Sequence, residues 1–107
     1  MKITLLVTGK CKEKPILSLC DEYIKRLKPY LAIQVIELPQ DKSNSSAEIK
    51  RKEADAQLSK ITENSIVIAL DERGEIPSTR QLAQKISHFQ NQGTSHITFI
   101  IGGAEGL

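Results

Sequence analysis

Four short apolar runs alternate with helical segments, and this alternation restricts the fold more than any other feature of the sequence. The runs have the length and composition of β-strands and cover residues 2–8, 32–38, 65–70 and 96–101. Strands and helices in strict alternation predict a mainly parallel α/β sheet with helices on both faces. Because crossovers between parallel strands are right-handed, the loops that follow the strands should gather at one edge. Ligands bind at that edge in open α/β sheets.

Residues that begin or end helices mark the three helical segments. Pro15 suits a first helical position, and Pro29 stops the first helix. Ser45 and Ser78 are each followed three positions later by Glu or Gln, which predicts caps for the second and third helices. Gly93 predicts the end of the third helix.

The third apolar run, residues 65–70, offers no polar side chain to solvent after its first residue. A continuous apolar strand is typical of the middle of a parallel sheet, where both faces are covered. We therefore predict that this strand lies inside the sheet, with Val67 and Ile68 buried.

The chain has the length of a single domain, and its charge is unevenly distributed. Residues 1–60 contain twelve Lys and Arg against eight Asp and Glu, whereas residues 61–107 contain three against five. The basic clusters at residues 10–14, 25–28 and 50–52 suit phosphate contacts, which predicts RNA binding. Solvated helix faces have the same composition, so charge alone leaves both interpretations open.

No segment of the sequence predicts export or membrane insertion. The apolar run at residues 3–7 is too short for a signal-peptide core or a membrane span. Cys11 and Cys20 lie apart from any CxxC pair or neighbouring His, which predicts reduced thiols. We expect a cytoplasmic protein without a membrane partner.

The glycine-rich segment after the fourth strand, residues 102–106, is the most informative of the strand-end loops. Closely spaced glycines let a ligand approach the backbone and leave N–H groups free to donate. A tight turn requires the same residues, so the spacing alone does not decide between ligand binding and structure. The other two loops at this edge are residues 9–10 and 70–74. The first lacks the glycine and hydroxyl residues of a phosphate-binding loop.

Familiar catalytic patterns are missing from the sequence. His88 and His96 have no nucleophile in a recognisable setting, and we interpret them as a surface helix residue and a strand-edge residue. Metal-ligand spacing is also missing. Asp71 and Glu72 are adjacent on one strand end and point in opposite directions, so they do not form an evident acid–base pair.

Three segments together resemble one known family. MKITLLVTGKCKEK at the N-terminus, ALDERG after the third strand and the ending FIIGGAEGL are similar to the ribosomal RNA large-subunit pseudouridine methyltransferase H family of the SPOUT superfamily. The resemblance covers the whole of residues 1–107 and implies a SPOUT-like α/β knot fold. It also implies methyl transfer from S-adenosylmethionine to N3 of a pseudouridine in helix 69 of 23S rRNA. Family members act on the assembled ribosome as cytoplasmic homodimers.

The resemblance also assigns site residues, at matching positions only. Leu70 matches a leucine that lines the S-adenosylmethionine site, Gly102 matches a second contact, and Gly103 lies beside it. Transfer from a sulfonium needs no metal, and the catalytic residues stay unknown because no side chain is an evident base for the N3 proton.

Family members continue well beyond the GGxxGL segment. We therefore expect residues 1–107 to be one SPOUT domain that is incomplete at its C-terminal side, lacking the knot, part of the cofactor loop and much of the dimer interface. On this basis one face of residues 97–101 should be uncovered. Residues 1–107 alone should be inactive as an enzyme. The alternatives are a non-catalytic nucleotide- or RNA-binding module and an inert α/β fragment.

Overall fold

The computed structural model describes residues 1–107 and consists of four strands and three helices in alternation. The strands are β1 (Lys2–Thr8), β2 (Ala32–Leu38), β3 (Ile66–Leu70) and β4 (His96–Ile101). The helices are α1 (Lys14–Leu27), α2 (Ser46–Ser59) and α3 (Thr79–Asn91). All strand pairs are parallel, in the order β2-β1-β4-β3. The predicted α/β class is therefore confirmed.

Apolar side chains of the inner strands β1 and β4 form the core on both faces of the sheet. Successive residues of a strand point to opposite faces. On one face α3 covers three buried residues, Ile3, Ile97 and Phe99. On the other face Ala56 of α2 and Leu107 pack against Leu6, Leu38 and Ile100. Helices thus lie on both faces, as the strand–helix alternation predicts.

The predicted helix ends agree with the structure. Ser78 and Gln81 form a reciprocal capping box at the start of α3, with hydrogen bonds of 3.1 and 2.8 Å. Ser45 accepts a hydrogen bond from the backbone N–H of Glu48 at 3.1 Å and caps α2. Gly93 follows α3 with a φ of 91°, a left-handed conformation that favours glycine.

The prediction that residues 65–70 lie inside the sheet is wrong. β3 pairs only with β4 and forms an edge of the sheet. Val67 is 41% exposed and Ala69 is also exposed, whereas Ile66 and Ile68 pack on the core beneath α3. An apolar run indicates a strand but not how many strands flank it or whether both of its faces are covered, so the sequence could not fix this position.

The expectation that one face of residues 97–101 is uncovered is also wrong. Ile97, Thr98, Phe99 and Ile100 are all buried, and only Ile101 is exposed. The inner position that we predicted for the third apolar run is instead occupied by β4. This strand lies between β1 and β3, with α3 packed on one face and α2 on the other.

Two helices contact the sheet in unusual ways. α1 has no buried residue, and several of its large apolar side chains are exposed: Ile16, Leu17, Leu19, Tyr23 and Leu27. The only buried residues of α2 are polar, Glu53 and Gln57. None of the three helices combines the length and apolar composition that a membrane-spanning helix needs.

Candidate functional site at the carboxyl ends of β3 and β4

The ends of β3 and β4 lie side by side and open into one groove. Leu70 and Ile101 are Cα partners at the last pair of the β3–β4 ladder, so Gly102 follows directly beside Leu70. The groove has a volume of about 440 Å³ and lies between residues 70–73, residues 101–107 and Lys50. Leu70 is 49% exposed and Ile101 is 39% exposed, so the groove has an apolar wall accessible to a ligand. The structure thus brings Leu70, Gly102 and Gly103 together.

Residues 102–107 form a tight turn, which we call the glycine turn. The N–H of Gly106 donates to the carbonyl of Gly103 at 3.0 Å, and the turn folds back on itself. A Cβ atom at Gly102 would lie 2.9 Å from both the carbonyl carbon of Gly106 and Cδ2 of Leu107. Such an atom would collide with backbone, so this position requires glycine.

The glycine turn leaves backbone donors free. The N–H groups of Gly102 and Ala104 donate no hydrogen bond to another backbone group, whereas Gly103 pairs with Gly106 in the turn. Free N–H groups at a strand end can bind the polar edge or the anionic group of a ligand. The structural role of the turn is therefore evident, and binding of a ligand by its free donors stays a prediction.

Asp71, at the rim of the groove, is fully engaged by Arg73. The guanidinium donates from Nη2 to Oδ2 at 2.8 Å and from Nε to Oδ1 at 3.3 Å, and the backbone N–H of Arg73 donates to Oδ1 at 3.0 Å. These hydrogen bonds lower the pKa of Asp71 to about 2. Asp71 is therefore ionised at neutral pH and is not a ready proton acceptor. Glu72 is exposed, which agrees with the interpretation that the two carboxyl groups are not a catalytic pair.

A polar layer from α2 lies beneath the glycine turn. Glu53 is buried, its Oε2 accepts a hydrogen bond from the backbone N–H of Asp41 at 3.0 Å, and its Oε1 lies against Gly103. One helical turn further along α2, Nε2 of Gln57 donates to Oγ1 of Thr8 at 2.9 Å. Sequence reasoning missed both residues. Their spacing of four positions on a helix with few apolar residues was the one available signal.

The histidines and cysteines lie outside the groove. His96 begins β4, at the amino ends of the strands and thus opposite the groove. Its Nε2 lies 2.8 Å from Oγ1 of Thr4 and its Nδ1 lies 3.1 Å from Oγ1 of Thr62. Burial, followed by the charge of Lys2, lowers the pKa of His96. His88 is exposed on α3, and Cys11 and Cys20 are exposed free thiols. These positions match the surface and strand-edge interpretations of both histidines.

Two further grooves lack this combination of features. A groove of about 510 Å³ lies between residues 75–77 and the outer side of α3, away from the strand ends and their backbone donors. Another, of about 470 Å³, lies at the ends of β1 and β2 and carries Lys10 and Lys42. The latter lies at the same carboxyl edge of the sheet as the groove at the ends of β3 and β4, and Glu37 also lines it.

S-Adenosylmethionine has an adenine ring and charged amino-acid groups, and the groove residues fit these parts. The half-exposed side chains of Leu70 and Ile101 offer an apolar surface for a ring, while the glycine turn offers free N–H groups to polar atoms. No group of three His, Cys, Asp or Glu side chains is arranged to hold a metal ion.

Comparisons with known proteins agree with this geometry. The family described as "Predicted SPOUT methyltransferase" matches residues 1–107. The chain is 43% identical to ribosomal RNA large subunit methyltransferase H of Halothermothrix orenii, over all of the chain and 71% of that relative. The proteins of the same name from Alkaliphilus oremlandii and Shouchella clausii are 43% and 45% identical, with the same coverage.

Proposed function

The chain belongs to the SPOUT methyltransferase family, and on this premise we propose that its strand-end groove binds S-adenosylmethionine for methylation of N3 of a pseudouridine in 23S rRNA. The observation that carries the proposal is the meeting of Leu70, Gly102 and Gly103 around one groove. The relatives' shared name, ribosomal RNA large subunit methyltransferase H, supports ribosomal RNA as the substrate.

We assign the chain's residues to holding and orienting the cofactor. Leu70 and Ile101 contact the adenine ring, which prefers an apolar surface over water. The N–H groups of Gly102 and Ala104 donate to polar atoms of the cofactor and fix its orientation. When bound, S-adenosylmethionine supplies a methyl group on a positively charged sulfur, which is an activated donor.

The substrate approaches along the same edge of the sheet. Lys10 and Lys42 line the neighbouring groove at the ends of β1 and β2, where they contact RNA phosphates. We further propose that the nucleotide belongs to helix 69 within the assembled ribosome, and that the protein acts in the cytoplasm as a homodimer. These three statements rest on the family resemblance.

Cofactor binding is tested on the isotope-labelled protein as its gene encodes it, by titration with S-adenosylhomocysteine to millimolar concentration and recording of amide NMR shifts. We expect the largest shifts at Leu70, Gly102 and Gly103, and little change at His96 on the opposite edge. Shifts centred on the groove beside α3, or none at all, would overturn the assignment of the site.

The chemistry is tested on the protein as its gene encodes it. The protein is incubated with methyl-labelled S-adenosylmethionine and ribosomes, the 23S rRNA is digested, and the labelled nucleoside is identified by mass spectrometry. We expect N3-methylpseudouridine. Label on a different nucleoside would refute the substrate assignment, and unlabelled RNA would refute methyl transfer.

A further inference from the structure

The polar side chains that α2 buries are unexpected in a helix that covers a sheet. Such helices normally contact a sheet through an apolar stripe, yet the two buried residues of α2 are Glu53 and Gln57. Of the two large apolar side chains of this helix, Leu58 is 65% exposed and Ile49 is half-buried. Burial of polar groups contributes less to stability than burial of apolar groups, so packing does not explain this choice.

The carboxylate of Glu53 joins two loops of the carboxyl edge. Its Oε2 accepts a hydrogen bond from the backbone N–H of Asp41 in the β2–α2 loop at 3.0 Å. On the other side, a Cβ atom at Gly103 would lie 3.0 Å from its Oε1 and 3.3 Å from its Oε2. The backbone of the glycine turn at Gly103 therefore packs directly against the Glu53 carboxylate.

One oxygen of this buried carboxylate has no partner. Glu53 is only 5% exposed, and its Oε1 is buried without a hydrogen bond. A buried unpaired acceptor costs free energy, which natural proteins tolerate mainly where it serves a function. The backbone nearest to this oxygen belongs to Gly103 of the glycine turn, whose neighbours Gly102 and Ala104 have N–H groups without backbone acceptors.

We propose that Glu53 is a positioning residue of the ligand groove, which holds the glycine turn against the β2–α2 loop and orients its N–H groups toward the bound cofactor. The inference rests on the proposed function, because the cofactor defines the orientation that matters. Glutamine fills the same space and can still accept the hydrogen bond from Asp41 through its amide oxygen. It removes the negative charge, however, and places an NH2 donor beside Gly103 where the carboxylate has an acceptor.

The test introduces Glu53→Gln and Glu48→Gln separately into the protein as its gene encodes it. Both variants are then compared in the methylation assay. Glu48 lies on the same helix, its side chain is 44% exposed and its carboxylate pairs only with Lys52, so it controls for the loss of one negative charge. We expect Glu53→Gln to raise KM for S-adenosylmethionine roughly tenfold, because an NH2 donor replaces a buried charged acceptor beside the glycine turn, with little change in kcat. Glu48→Gln should change neither.

A second variant approaches the same contact from the other side. Gly103→Ala leaves the carboxylate in place but adds a Cβ atom within 3.3 Å of both carboxylate oxygens and of Cγ2 of Thr8. We expect it to raise KM in the same manner, which keeps the inference testable if Glu53→Gln does not fold. Wild-type KM in both variants, whatever their thermal midpoints, would reduce Glu53 to a structural role and overturn the inference.

The failure of the proposed function is a separate result. If the unsubstituted protein neither transfers methyl groups nor binds S-adenosylhomocysteine, the methyltransferase proposal fails. The amide NMR shifts of the ligand-free protein then still test the contact. Glu53→Gln should move the Gly103 and Ala104 signals and Glu48→Gln should not, and unmoved signals in Glu53→Gln would end the positioning role as well.

Discussion

Leu70 and Ile101 oppose each other at the last pair of the β3–β4 ladder, and both side chains reach the groove that the glycine turn closes on one side. Parallel pairing places the two strand ends at the same height, so residues 31 positions apart in the chain become neighbours. Cofactor binding at Leu70, Gly102 and Gly103 stays a prediction, and substitution of Leu70 tests the apolar contact with the ligand.

We expect Leu70→Ala to weaken S-adenosylhomocysteine binding roughly fivefold, because the ligand loses about 1 kcal/mol of apolar contact. Stability should change little, since Leu70 is 49% exposed. Leu58→Ala is the control, because Leu58 is 65% exposed on α2 and does not line the groove. NMR titration measures both affinities, and equal affinities of the two variants would contradict the assigned contact.

Shortening a side chain to alanine should lower the free energy of unfolding more in the inner strand β1 than in the edge strand β3. Leu6 is fully buried, so Leu6→Ala should lower the free energy of unfolding by about 2–5 kcal/mol. Val67 is 41% exposed on the edge strand, so Val67→Ala should cost less than about 1 kcal/mol. Urea unfolding measures both values. Similar costs would mean that another chain covers β3 in solution.

Arg73 should control the ionisation of Asp71. In Arg73→Gln the pKa of Asp71 should rise from about 2 toward its usual value of 3.8, because the side-chain hydrogen bonds that lower it are lost. Arg80→Gln, an exposed arginine of α3, is the control. NMR titration of the carboxyl carbon reports the pKa, and an Asp71 pKa still near 2 in Arg73→Gln would contradict the pairing.

The same pair makes a pH-dependent contribution to stability. The folded pKa lies below the unfolded value, so the contribution is present above pH 3.8 and is lost as the pH falls toward 2. In this interval the thermal midpoint of the wild-type chain should fall more steeply than that of Arg73→Gln. Parallel curves would show that the pair adds nothing to stability, a common result for exposed ion pairs.

Local signals predicted the elements of this fold, whereas strand order and polar burial required the structure. Ser78 and Gln81 contact each other within one helical turn, so their sequence spacing predicted the cap. The position of β3 depends on pairing with β4, residues 26 or more positions later, which an apolar run does not specify. Charged residues such as Glu53 are usually exposed, so the sequence does not indicate its burial. Only the folded structure places it against Gly103 and Asp41.

As an isolated polypeptide, residues 1–107 bound the groove only with residues 70–73, residues 101–107 and Lys50. We expect them to bind S-adenosylhomocysteine too weakly to raise the thermal midpoint, and to unfold easily or self-associate. A ligand in such an open groove keeps part of its surface in water and gains only part of the available apolar contact. A ligand present well below its dissociation constant stabilises a protein by a negligible amount.

The exposed apolar side chains of α1 and Val67 on the edge of β3 give the reason for low stability. Each large apolar side chain left in water forgoes roughly 1.5–3 kcal/mol, against a total of about 5–15 kcal/mol for a typical domain. The measurements are thermal unfolding with and without excess ligand, and the mass in solution. A cooperative monomer whose midpoint rises clearly with ligand would show that residues 1–107 suffice for binding, contrary to this prediction.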